Sequence, residues 1–179
     1  MRILYIITKI LTFPGAYLRA FWEHLTCRIL KLPVEREGYL HLDETCGHVE
    51  HGMASRKFAA YLIETGPGFM NFITGLPLFL CGLIQLRILG VRMNDNTALF
   101  FVYIAALYLG ASLLCSLFPM VEDALNAHFL IYQAPGKNPL GMVFAALPHF
   151  IALIGAYLEK YGVPFLLVAG YLVYTFLHA

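Results

Sequence analysis

Four stretches of this chain, residues 69–86, 97–118, 141–158 and 163–179, run for 17 to 22 residues without an Asp, Glu, Lys or Arg. Coiled as helices at about 1.5 Å per residue, they approach or exceed the roughly 30 Å of a bilayer's hydrocarbon core. Helix is also the state that satisfies the backbone of such a segment where water is absent. The rest of the chain does not offset this apolarity. Of 179 residues, 60% are hydrophobic and 13% charged, and the mean hydropathy is +0.71. This predicts an integral, multi-pass membrane protein, in a cell membrane, with lipid as its first partner. A net charge of +1 and the lack of a basic stripe interleaved with aromatics exclude nucleic acid as a partner. Four cysteines without a C-x-x-C pair suggest neither a disulfide framework nor a zinc ribbon.

The opening "MRILYIITKILTFPG" is not read as a signal peptide, because Lys9 interrupts its apolar run and "FPG" is a poor cleavage context. It is expected at the interface, or beginning the first intramembrane helix, with Arg2 and Lys9 reaching toward headgroups. Pro14-Gly15 breaks this run, and residues 17–32 then show helical periodicity as far as Pro33. Alternation in "GYLHL" and "GHVEHG", around the turn-prone "DET", predicts a hairpin with strands at 38–42 and 46–51. Residues 53–65 suit an amphipathic helix at the interface, ended by Gly66-Pro67-Gly68. The expected fold is mainly α: one membrane domain over 1–179, a polytopic bundle of four or five membrane segments with a small β-hairpin after the first helix. Basic residues fall in nearly every loop, so charge does not orient it.

Ionisable residues in such surroundings are costly and mark candidate sites. The stretch "FWEHLTCRIL" places Glu23 and Cys27 four residues apart and His24 and Cys27 three apart, so either pair shares a helix face. After Pro119, Glu122 and Asp123 offer a further carboxylate. Together these make a mixed N, S and O donor set suited to zinc with one open position.

The order of these pieces resembles the site-2-protease-like membrane metalloproteases, whose core carries H-E-x-x-H on one helix and an aspartate after an N-x-x-P-like turn on a later one. "FPGAYLRAFWEHLTCRILKLPV" looks like the motif helix, "ETCGHVEHG" like the strand after it, and "SLFPMVEDALN" like the aspartate segment. The likeness covers about residues 10–130, with the two helices of 141–179 outside it. It implies an intramembrane zinc peptidase in which Glu23, Cys27 and Asp123 hold the metal. His24 or Glu23 would assist the bound water, and the hairpin would pair with an extended peptide or membrane-protein substrate. In this chain the motif is permuted to E-H-x-x-C, and two anionic ligands beside Asp123 would leave the ion less Lewis-acidic.

Other readings stand beside this one. Glu23 and His24 can pair with Arg19 or Arg28. Cys27 can be a small core residue, or a nucleophile with His24 as its base. Glu122 and Asp123 suit a helix N-terminus. His41, His48 and His51 can be a second metal cluster, but strand alternation would put His48 and His51 on opposite faces, so they read as polar loop residues. His149, after Pro148 within a span, is expected to hydrogen-bond a neighbouring helix or to face a cavity, without a catalytic role. A chain with the permuted motif can also be a non-catalytic accessory protein that binds a membrane partner.

Overall fold

A computed structural model describes residues 2–36, 39, 46–94, 96–133 and 139–177. Seven helices and one two-stranded antiparallel sheet make up these residues. Helices α1 (Arg2–Leu11) and α2 (Phe13–Leu30) meet at Thr12. Pro14 sits in the first turn of α2, where its missing N–H costs nothing, and α2 ends with Lys31 in the left-handed conformation before Pro33. Strands β1 (Val34–Arg36) and β2 (Glu50–His51) follow. Val34 pairs with His51 and Arg36 with Glu50, with an irregular register between them.

The hairpin is present, but its strands are not those expected. Of the expected partners, 38 and 40–42 lie outside the described residues, and within 46–51 only Glu50 and His51 are strand. Cys46–Val49 instead form a buried turn against the N-terminal helices. Tyr5 Oη donates to Cys46 O at 3.0 Å, and Gly47, at φ +83°, lies so close to Ala16 that an added Cβ would sit 2.9 Å from its methyl. Alternation fails as a guide here because this segment packs by turns on a helix, not on a sheet.

Helix α3 (Lys57–Leu83) absorbs both the expected interfacial helix and the span after it, and continues as a π-helical turn over Ile84–Ile88. It passes through Gly66-Pro67-Gly68 unbroken, contrary to expectation. Ending a helix in an apolar setting would orphan several backbone groups, whereas an internal proline removes one hydrogen bond. Of the two glycines there, Gly68 serves close packing. Gly68, Gly75 and Gly82, seven residues apart, lie against α4 (Thr97–Leu114) and its exit. A Cβ on them would come within 1.9 Å of Leu117 O, 2.7 Å of Leu113 Cβ and 2.6 Å of Leu107 Cβ. Gly15 of α2 approaches the Ser112 backbone in the same way. Helices α2, α3 and α4 thus form the centre.

Helix α5 (Val121–His128), with a π-helical continuation Phe129–Gln133, packs on α3 through Ala54, Ala59, Ala60, Ile63, Ala127 and Ile131. Helices α6 (Pro139–Lys160) and α7 (Val163–Leu177) complete the chain, and no residue of α7 is buried.

Among the described residues, three helices are long and apolar enough to cross a membrane: Lys57–Ile88, Thr97–Leu114 and Leu140–Lys160. Val163–Leu177 is apolar but shorter, and α2 carries Arg19, Glu23 and Arg28. Large apolar side chains point outward, Phe144 at 79% exposure and Leu147 at 71%, while Lys9, Arg19, Glu23, Glu64, Asn71, His149 and Glu159 are buried. This distribution is consistent with membrane association, since lipid accepts apolar surface and protein partners must accept the charges. Lys9 is an example: the sequence sends it toward headgroups, and the fold buries it against Glu159 and Ser116.

Candidate metal centre

Glu23 projects from α2 into the space between the sheet and α5, and is 1% exposed. The Val49 N–H donates to its Oε1 at 3.3 Å, and His48 Nδ1 lies 3.2 Å from its Oε2. Burial, then the nearby Arg19 cation, hold the His48 imidazole well below its usual range, so it is neutral at pH 7. A neutral ring whose Nδ1 faces a carboxylate donates there, which fixes the orientation of Glu23. Arg19 Nη1 approaches the same oxygen at 3.7 Å, while Arg19 Nε donates to Phe118 O at 2.7 Å.

His51, at the end of β2, faces the same point. Its Nδ1 lies 3.0 Å from Gly52 O. A carbonyl only accepts, so Nδ1 carries the hydrogen and Nε2 of the neutral ring presents a lone pair. That Nε2 is buried without a hydrogen-bond partner, 3.8 Å from Glu23 Oε1 and 3.7 Å from Asp123 Oδ1. Both separations are too long for hydrogen bonds. They are close to the roughly 3.3–3.6 Å between donors that share a tetrahedral ion at about 2.0–2.2 Å. Asp123 arrives from the first turn of α5. Burial first, and Glu23 second, push its carboxyl up to about 7.

Donor atoms of Glu23, His51 and Asp123 lie within 4.8 Å of one another, forming a potential metal-binding triad. Two of its members, Glu23 and Asp123, are residues the sequence singled out. Cys27 is fully buried one turn further along α2, but outside this donor group. His24 lies apart from it, with Nδ1 2.8 Å from Tyr39 Oη and its ring edge-on to that tyrosine. The Glu23–Arg19 approach that the sequence also allowed is present too.

His51 and His48 are the residues sequence reasoning passed over. His48 lies in the buried turn before β2, so the alternation that separated the two does not apply, and both reach Glu23. The signal available was the pair of glycines flanking "HVEH", which mark a bent, closely packed segment. No protein-family model, curated protein or solved structure matches this chain.

Proposed function

We propose that this chain is a multi-pass protein of a cell membrane that holds zinc at Glu23, His51 and Asp123 and hydrolyses peptide bonds of membrane-associated substrates. The observation that carries the reading is His51 Nε2, a buried lone pair without a hydrogen bond, aimed between two carboxylates. A bare arrangement of this kind is costly, and a cation relieves it. Two carboxylates and one imidazole fit a divalent metal with an open coordination position. Bound zinc would supply Lewis acidity toward a carbonyl oxygen. Within the chain, Gly52 O sets the His51 tautomer, and His48 and Val49 hold Glu23 in place. The order of motif helix, hairpin and post-proline aspartate, which resembles that of the site-2-protease-like enzymes, supports peptidase chemistry.

The second reading, a non-catalytic membrane accessory protein, is favoured by Arg19, a buried cation that can neutralise Glu23 unaided. Metal analysis of the purified protein separates the two. Near-stoichiometric zinc in the wild type, lost in His51→Gln and in Asp123→Asn, supports the metalloprotein, and cleavage of an unstructured peptide in micelles then supports the peptidase. Negligible zinc in all three leaves the accessory protein.

A further inference from the structure

A second group of buried ionisable side chains lies where α3, α5 and α6 meet. Glu64 of α3 is 1% exposed and His149 of α6 fully buried. His149 Nδ1 lies 2.8 Å from Glu64 Oε1 and 3.0 Å from Oε2, and its Nε2 lies 3.1 Å from Nδ1 of His128, the last residue of α5. Tyr132 and Phe150 pack about the two imidazoles, with centroids 5.1–6.3 Å away. Unlike the other two, His128 is only partly buried. Among the described residues, the ionisable groups facing this cluster are Tyr61 of α3, Asp123 of α5 and Tyr132 of the π-helical segment, all within electrostatic reach of Glu64.

We propose that Glu64, His149 and His128 form a proton relay connecting the partly exposed edge of α5 to the buried carboxylate of Glu64. None of the three is a donor of the metal triad, so the relay does not depend on that site. Its direction follows from hydrogen-bond roles. An ionised Glu64 only accepts, so His149 carries its hydrogen on Nδ1 and offers a lone pair at Nε2. His128 Nδ1–H donates to that lone pair, which leaves His128 Nε2 as the accepting end.

A proton that bonds to His128 Nε2 releases the one on its Nδ1, which bonds to His149 Nε2. The His149 Nδ1–H bond then breaks as an O–H bond forms on Glu64. One proton is taken up, no electrons move, and the reverse sequence releases it. The packed aromatics leave side-chain hopping as the route. Because the three groups come from three helices, the charge state of Glu64 is felt wherever those helices meet. Chains of carboxylate and imidazole among membrane helices are the usual means of carrying protons there.

The test is a pH jump from a caged proton on the intact protein in micelles, following the infrared carbonyl band of the protonated carboxyl. The band is assigned by its loss in Glu64→Gln, or by its shift in Glu64→Asp should the glutamine variant not fold. The wild type shows the band. His128→Gln, which keeps a donor to His149 but cannot relay, slows its rise on the order of 10²-fold at unchanged final amplitude, the size of effect expected for a lost proton-transfer group. Added imidazole restores the rate. Absence of a Glu64 band in the wild type, an equal rate in His128→Gln, or a slowed rate that imidazole leaves unchanged would each overturn the relay and leave three structural hydrogen bonds.

Discussion

Asp123 is both a candidate ligand and a reluctant acid. With its carboxyl raised to about 7 by burial and then by Glu23, it holds a proton across much of the range from its ordinary value to neutrality. To ligate, it must release that proton, so zinc affinity is expected to fall as pH drops from about 8 to 6, which competition with a chromophoric chelator measures. The metal-free fold moves in the opposite sense. Between the ordinary Asp value of 3.8 and about 7 the folded state binds more protons than the unfolded one, so the stability contributed by Asp123 declines as pH rises through that range, a slope readable in melting of the metal-free protein. Lys9 offers a test at another site. Its ammonium is buried against Glu159, whose other oxygen accepts from the Phe118 N–H at 2.9 Å. Lys9→Met leaves Glu159 without a counter-ion and should cost about 3–5 kcal/mol in detergent unfolding, with much of it recovered in Lys9→Met/Glu159→Met. Glu23 and Asp123 were legible in the sequence because carboxylates are rare in so apolar a chain. His51 and Glu64 were not. A histidine beside glycines has many uses, and Glu64 reads as the polar edge of an interfacial helix until α6 is seen to bring His149 to it.

Glycine decides how closely the central helices approach. Gly110 of α4 lies so near α3 that a Cβ would stand 2.2 Å from the Phe79 backbone nitrogen, whereas a Cβ on Gly170 of α7 meets nothing within 4 Å. Gly110→Val should therefore lower stability by about 1–3 kcal/mol or more, since helix backbones must part. Gly170→Ala should leave it unchanged or raise it by up to about 1 kcal/mol through helix propensity. Thermal melts of the two variants in one detergent check the contrast. The apolar runs gave away the long helices because length and lack of charge translate directly into spans. The passage of α3 through Gly-Pro-Gly was hidden, because breaker rules describe helices that end into water, and this one has nowhere to end. The seven-residue spacing of Gly68, Gly75 and Gly82 was visible, but says which helix they face only once α4 is in place.

For the molecule as a whole, the outward apolar surface makes a test of its own. Cys81 is the exposed cysteine of the four and sits on the longest helix, while Cys27, Cys46 and Cys115 are buried. In membranes a charged maleimide should leave Cys81 unlabelled and a small apolar one should react with it, while a cysteine placed at Met93, in the loop after α3, should take both. Labelling of Cys81 by the charged reagent would mean that this face meets water, against the membrane reading. The pair joining Lys9 to Glu159 carries a different consequence, one of timing. The two residues are 150 positions apart. At roughly 5–20 residues per second of synthesis, Lys9 waits on the order of 8–30 s before its partner exists. Through that interval the first helix has a cation and no seat for it. The chain must hold its opening segment at the membrane edge, or in the care of the insertion machinery, until α6 has been made.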